Sequence, residues 1–286
     1  MKFEMAEHCL FDGIAANSAQ MAPMTEEDRL VAHLIPNPIL KVLSTLSCHG
    51  VRHLLMGGQA CVLYGAAEFS RDCDIVILAD ESNLGRLQSA ITELQANCIA
   101  FPEFKSDYLR RGHAVHFRCF HPDVQNLRLD VMTKMRGCDD FEQLWERRTT
   151  IEDPDAKSNY EVLSIEDLVK AKKTQRDKDW PMIRRLIEAH YDQFISEPTD
   201  GRIRFWLRES RTPEMLMEVS RSHPKYLEAT STERPWLVDI PRKGILAIES
   251  ALAEEEQRER ELDKIYWRPL KNELEELRLS RPRRGD

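Results

Sequence analysis

The sequence predicts a mixed α/β protein, in which a mixed sheet is flanked by helices and followed by a helical C-terminal region. Three observations support this fold class. Between residues 37 and 192, apolar runs typical of buried strands are interspersed with segments whose apolar residues recur at helical spacing. From residue 193 onward no strand-like run occurs, and Arg- and Glu-rich segments dominate. The α/β region is preceded by a weakly patterned segment, which ends at the break Pro36-Asn37-Pro38.

Local patterns then predict the regions and elements in order. An N-terminal extension at residues 1–36 precedes an α/β domain at residues 37–192 and a helical region at residues 193–286. Asn37 is expected to cap the first helix, with Pro38 in its first turn. Strands are predicted at residues 53–56, 73–78, 114–120, 127–132, 149–151 and 160–163, and helices at residues 37–50, 59–65, 80–94, 141–147, 164–173 and from about residue 181. Residues 245–279 are predicted to form one or two amphipathic helices, interrupted at Trp267-Arg268-Pro269.

The composition is that of a globular protein and limits the possible classes of function. Of 286 residues, 31% are charged and 42% are hydrophobic, and no apolar stretch approaches the about 20 residues of a membrane span. The first residues lack a signal-peptide pattern, so a cytoplasmic protein is expected. A net charge of −8 argues against tight general nucleic-acid binding. The seven cysteines lie mostly in apolar segments without C-x-x-C spacing, and we expect reduced core residues.

Three aspartates indicate a carboxylate site. Asp72 and Asp74 enter a predicted strand, and because side chains alternate along a strand, both point to one face while Cys73 points into the packed side. Asp130 lies on a second predicted strand, between apolar residues that face the other way. A neighbouring strand could therefore bring a third carboxylate to the first two. Hard oxygen ligands of this kind suit Mg²⁺, which retains substrate phosphates and water in its shell.

A glycine turn precedes this site. Gly57 and Gly58 follow an apolar strand and come directly before a predicted short helix. Glycines allow close approach of the backbone to a ligand, and the first N–H groups of a helix point at an anion. The order of strand, glycine turn, short helix and Asp-x-Asp strand predicts a phosphate-cradling turn beside the carboxylates.

This arrangement resembles the nucleotidyltransferase superfamily typified by DNA polymerase beta, over roughly residues 37–192. The resemblance implies that Gly57 and Gly58 hold a nucleoside triphosphate. It also implies that Asp72 and Asp74 bind two Mg²⁺ or Mn²⁺ ions. Asp130 would bind the catalytic metal and help to deprotonate the acceptor hydroxyl. All three aspartates are thus predicted as catalytic residues and metal ligands.

The resemblance extends to further candidates for nucleotide binding. Gln59 stands where the family usually has Ser or Gly, and Arg71 directly precedes the Asp-x-Asp. The charged run that contains Lys172, Arg176 and Lys178 resembles the Arg-x-Lys-Asp segment of abortive-infection and toxin-type nucleotidyltransferases, where basic side chains reach the nucleotide phosphates. An ordinary solvated junction between helices is the alternative interpretation of this run.

A neighbouring cluster, His113, His116, Cys119 and His121, invites a zinc interpretation. On a strand His116 would point away from the other three, so four-ligand convergence fails. His116 shares a face with Arg118, and if that face is also the face of Asp130, both could touch the nucleotide or the acceptor.

The resemblance implies transfer of NMP from an NTP to a hydroxyl group of an acceptor, with release of pyrophosphate. Acceptors in the toxin-type branch are RNA such as tRNA, or a protein, and the function would be that of a toxin-antitoxin or phage-defence component. Two alternatives remain open: transfer to a small molecule of the antibiotic type, and a non-catalytic nucleotide-binding regulator of the same fold. The amphipathic C-terminal helices also leave open a protein partner.

Overall fold

The structure, a computed structural model, describes residues 37–153 and 158–279. Within these residues one sheet has the strand order β3-β4-β5-β2-β1-β7-β6. Its strands are β1 (His53–Met56), β2 (Asp72–Ile77), β3 (Asn97–Cys98), β4 (Val115–Arg118), β5 (Arg128–Met132), β6 (Thr149–Asp153) and β7 (Ser158–Val162).

The sheet is mixed. Strand β1 runs antiparallel to β2 and parallel to β7, whereas β2 runs parallel to β5. Strand β4 is antiparallel to both β3 and β5, and β6 is antiparallel to β7. The predicted mixed sheet is therefore confirmed. Strand β3 was not predicted, because its two exposed residues carry no apolar alternation.

Helices cover the sheet and form the C-terminal region. They are α1 (Asn37–Cys48), α2 (Gly57–Leu63), α3 (Glu81–Glu93), α4 (Ser106–Arg111), α5 (Phe141–Glu146), α6 (Ile165–Lys172), α7 (Asp179–Phe194), α8 (Asp200–Glu209), α9 (Pro213–Ser222), α10 (Leu227–Ser231) and α11 (Ile245–Leu279). Short 3₁₀ turns lie at Pro122–Val124, Pro224–Tyr226 and Pro235–Arg242. The predicted helical C-terminal region is confirmed, and the 1–36 extension lies outside the described residues.

The buried face of the sheet follows the predicted alternation. In β2 Cys73 and Ile75 are fully buried, while Asp72 and Asp74 are only partly buried. In β5 Leu129 is likewise fully buried, on the face opposite to that of its neighbouring aspartate. Local periodicity thus separates a packed face from a polar face that is free for chemistry.

Helix α11 corrects the predicted interruption at Pro269. It is continuous from Ile245 to Leu279, although a proline inside a helix removes one N–H bond and costs about 3 kcal/mol. Tertiary contacts hold the helix on both sides of this position. Before it, Asp263 accepts a bond from the Gln175 N–H (2.9 Å), and after it, Glu273 contacts His113 Nε2 (2.8 Å).

The structure also tests what the composition predicts for the cysteines and for membrane spans. Cys61, Cys73 and Cys119 are fully buried, as expected for core residues. Across residues 37–153 and 158–279, no helix combines the length and the apolar character that a membrane crossing requires.

Candidate active site

The register of the sheet brings two of the aspartates together. Asp74 on β2 lies directly beside Asp130 on the parallel strand β5, and Asp72 lies on the same face two residues earlier. All three carboxylates line one cavity of about 530 Å³. A cavity of this size lies in the usual range of small-molecule sites. The three predicted site aspartates therefore share one cavity.

The negative charge of Asp74 is only partly balanced by positive groups around it. Its burial and then the charge of Asp130 raise its pKa above the ordinary value, and Lys172 opposes this shift only in part. The Gly58 N–H approaches Asp74 Oδ2 at 3.4 Å, a long hydrogen bond. Burial beside a second carboxylate therefore disfavours the ionised form of Asp74.

The negative charge of Asp130 is instead balanced by two neighbouring side chains. Its Oδ1 atom accepts hydrogen bonds from Arg128 Nε (2.7 Å) and His116 Nδ1 (2.8 Å). Burial raises the pKa of Asp130, but these two partners outweigh it, and the net result is a lowered pKa. His116 Nδ1 also lies 3.1 Å from Arg128 Nη2, so the imidazole contacts both members of the Arg128–Asp130 pair. His116 therefore does share the face of Asp130.

The glycine turn packs against these side chains. Gly57 has a φ of +68°, and a Cβ atom there would lie 1.9 Å from Asp74 Oδ2. A Cβ atom at Gly58 would lie 2.7 Å from Ser70 Oγ. Gly57 therefore needs glycine for the packing of the turn alone, before any ligand is considered, whereas a Cβ atom at Gly58 would require the Ser70 hydroxyl to move. Helix α2 begins at Gly57, two residues earlier than predicted.

Two predicted nucleotide-binding residues do not line the cavity. Gln59 is fully buried beneath the turn, because it lies in the first turn of α2 and faces the core. Arg71 lies outside the cavity, with its guanidinium carbon 5.6 Å from the centre of the Phe69 ring. Arg71 directly precedes Asp72, so strand alternation turns its side chain away from the carboxylate face.

The predicted basic residues do line the cavity. Lys172, Arg176 and Lys178 all contribute to its wall. Asp179, the first residue of α7 and almost fully buried, accepts a bond from Arg176 Nε (2.7 Å) and lies 3.5 Å from Lys172 Nζ. Residues 172–178, hereafter the basic segment, are therefore held at the cavity by a buried carboxylate.

Some cavity residues escaped the sequence analysis. Arg128 was missed, although it also lies on the polar face of its strand and strand alternation could have indicated it. Arg136, Asp263 and Trp267 also line the cavity. Asp263 and Trp267 belong to α11, and no local signal connects that helix with the carboxylates.

The donor chemistry of the cavity fits a divalent cation. In the part of the chain that the structure describes, no group of three or more His, Cys, Asp or Glu side chains is arranged to hold a metal ion. Asp74 and Asp130 nevertheless lie side by side, and burial and the charge of Asp130 raise the pKa of Asp74 despite the nearby Lys172, a shift that a bound cation would oppose. Carboxylate oxygens are the ligands that Mg²⁺ and Mn²⁺ prefer.

The chain is similar, at low identity, to a solved structure. No family model matches the chain, and no curated protein matches it. One similar solved structure is that of an antigenic nucleotidyltransferase-like protein from Paracoccidioides brasiliensis. It is 18% identical, the match covers 73% of this chain and 95% of that chain, and the TM-score is 0.37.

Proposed function

We propose that the protein is a metal-dependent nucleotidyltransferase that moves NMP from an NTP to a hydroxyl group of an acceptor. The observation that carries this proposal is the placement of Asp74 beside Asp130 on a cavity that the basic segment also lines. A site for metal ions and a polyphosphate needs both signs of charge within one cavity. Transfer of this kind asks a protein chiefly for positioning and for stabilisation of charge.

Each residue has a role in this proposal. Asp72, Asp74 and Asp130 would hold Mg²⁺ or Mn²⁺, and the bound cation would neutralise charge on the phosphates and activate the acceptor hydroxyl. Lys172, Arg176 and Lys178 would bind the phosphates of the NTP. The lowered pKa of Asp130 keeps it ionised but makes it a weak base, so we assign it an electrostatic role rather than that of the proton acceptor.

The acceptor and the cellular setting rest on the resemblance alone. We propose RNA such as tRNA, or a protein, as the acceptor, and a cytoplasmic toxin-antitoxin or phage-defence component as the setting. Leu262 and Ile265 are exposed on α11, which supports a protein partner for the C-terminal helices.

Transfer is tested by incubating the protein with each radiolabelled NTP, Mg²⁺ or Mn²⁺ and a total cell extract. We expect one class of macromolecule to become labelled by the parent and not by Asp74→Asn, and EDTA should abolish the labelling. The exposed-site variant Asp123→Asn serves as the control and should label as the parent does. Label that appears equally with Asp74→Asn would contradict the proposed site.

A non-catalytic nucleotide-binding regulator is the second candidate. The bond from Arg128 to Asp130 favours it, because an internal cation already occupies one oxygen of a proposed metal ligand. Isothermal titration calorimetry with each NTP and Mn²⁺ separates the two candidates. Clear binding together with no transfer to extract, purified tRNA or an aminoglycoside would support the regulator.

A further inference from the structure

The cavity has an aromatic wall that comes from the C-terminal helix. Trp267 of α11 lines the cavity together with the carboxylates and the basic segment. Its ring meets the ring of Tyr266 edge to face, with centroids 5.2 Å apart. The remaining side chains of the wall include Met132, Met135 and Met182, which are apolar and polarisable.

A buried carboxylate fixes the indole. Asp263 is 2% exposed and accepts a hydrogen bond from Trp267 Nε1 at 3.0 Å. Arg136 Nε lies 3.4 Å from the same oxygen, Oδ1, and the other oxygen, Oδ2, accepts a bond from the Gln175 N–H at 2.9 Å. One side chain therefore ties the indole to the basic segment, and the indole is oriented before any ligand binds.

We propose that Trp267 is the nucleobase-stacking residue of this cavity, with Asp263 as the residue that positions it. This inference rests on the proposed function. The charged part of an NTP is served by the carboxylates and the basic segment, whereas the base is the planar group that an indole and methionine side chains suit. Because Asp263 joins Trp267 to Gln175, the indole lies on the side of the cavity that would bind the nucleotide. Stacking on a ring tolerates every base, so this contact favours nucleotides over bare polyphosphate rather than one base over another.

The test compares ATP with inorganic tripolyphosphate by isothermal titration calorimetry in Mn²⁺. We expect the parent to bind ATP more tightly, and Trp267→Leu to lower the ATP affinity about tenfold while leaving that of tripolyphosphate unchanged. Trp267→Tyr should restore most of the difference. Trp236→Leu is the matched control, because the Trp236 indole is also partly buried and donates to a carboxylate, Glu255 Oε1 (2.6 Å), but does not line the cavity.

A second measurement covers the case in which the leucine variant does not fold. ATP should quench the tryptophan fluorescence of the parent and of Trp236→Phe, and should not quench that of Trp267→Phe. Quenching retained in Trp267→Phe, or an unchanged ratio of ATP to tripolyphosphate affinity in Trp267→Leu, would overturn the inference and leave the proposed function intact. A KM of Trp267→Leu that is raised for the acceptor but not for the NTP would also overturn the inference, because it would assign the ring to acceptor binding. Failure of the parent to bind either compound would overturn the proposed function itself.

Discussion

A Cβ atom at Gly57 would lie 1.9 Å from Oδ2 of Asp74, so the glycine turn and the carboxylate can occupy their places only together. The turn that is proposed to cradle phosphates therefore also shapes the carboxylate site. The collision would be with a carboxylate that is held by the sheet, and Gly57 also has a left-handed φ of +68°.

Gly57→Ala should therefore displace Asp74 and destabilise the fold. The left-handed conformation alone costs about 1–2 kcal/mol for a residue with a Cβ atom, and the collision adds to this. We expect a lower unfolding free energy in urea and loss of metal-dependent NTP binding. Gly85→Ala, in an exposed turn of α3 with no atom within 4 Å of the added Cβ, should stabilise the protein by about 0.5–1 kcal/mol. Equal behaviour of the two variants would contradict the contact.

Asp74→Asn should raise the melting temperature of the metal-free protein. The pKa of Asp74 is raised by burial and by Asp130, so the native state keeps this proton to a higher pH than the unfolded chain. Stability is then lost as the pH rises from the ordinary pKa of 3.8 through the native pKa. The variant removes this loss at neutral pH. Thermal melts of the parent and of Asp74→Asn, with and without MnCl₂, check this prediction. The ion should stabilise the parent and not the variant. A lower melting temperature for the metal-free variant than for the metal-free parent would refute the prediction.

Asp130→Asn should separate binding from transfer. The substitution keeps the shape of the side chain but removes the charge that Arg128 and His116 now neutralise. We expect transfer to fall by orders of magnitude, while metal-dependent NTP binding is largely retained through the turn and Asp74. Single-turnover labelling and calorimetry measure the two quantities. Transfer at the parent rate would remove Asp130 from the reaction.

His190 should make the protein sensitive to acid. Burial, followed by the charge of Arg202, lowers the pKa of His190 to about 4, and its Nδ1 accepts a bond from Trp206 Nε1 at 2.9 Å. The unfolded chain binds this proton near pH 6.5 and the native state near pH 4, so stability falls as the pH drops through that interval. His190→Gln removes the titration and keeps an acceptor for Trp206. Its stability should change less between pH 7 and pH 4.5 than that of the parent, and parallel profiles would refute this assignment.

Glu255→Gln should test whether α11 is part of the core. Glu255 accepts bonds from Arg234 Nη2 (2.7 Å) and Arg211 Nη1 (3.0 Å), and both arginines are nearly buried. Removing the charge leaves two cations in the interior, a loss of about 3–5 kcal/mol by analogy with other broken buried pairs. The neighbouring exposed variant Glu254→Gln should be close to neutral. Chemical denaturation checks both, and a similar stability for the two would indicate that α11 is only loosely attached.

The sequence by itself determined the local features of this protein. Alternation along a strand placed Asp72 and Asp74 on one face and Cys73 on the other, because successive side chains of an extended chain point in opposite directions. The same rule placed His116 opposite to its buried neighbours. The mixed α/β class and the helical C-terminal region followed from the same periodicities.

Only the tertiary structure decided which of these features meet. The register of β2 against β5 sets Asp130 beside Asp74, and this pairing depends on contacts between segments that are distant in the chain. Long-range contacts likewise carry α11 through Pro269 and bring Trp267 to the cavity. Periodicity is a property of the backbone of one segment, whereas a site is a property of how segments pack, and the free energy that selects the packing comes from groups that the sequence does not place side by side.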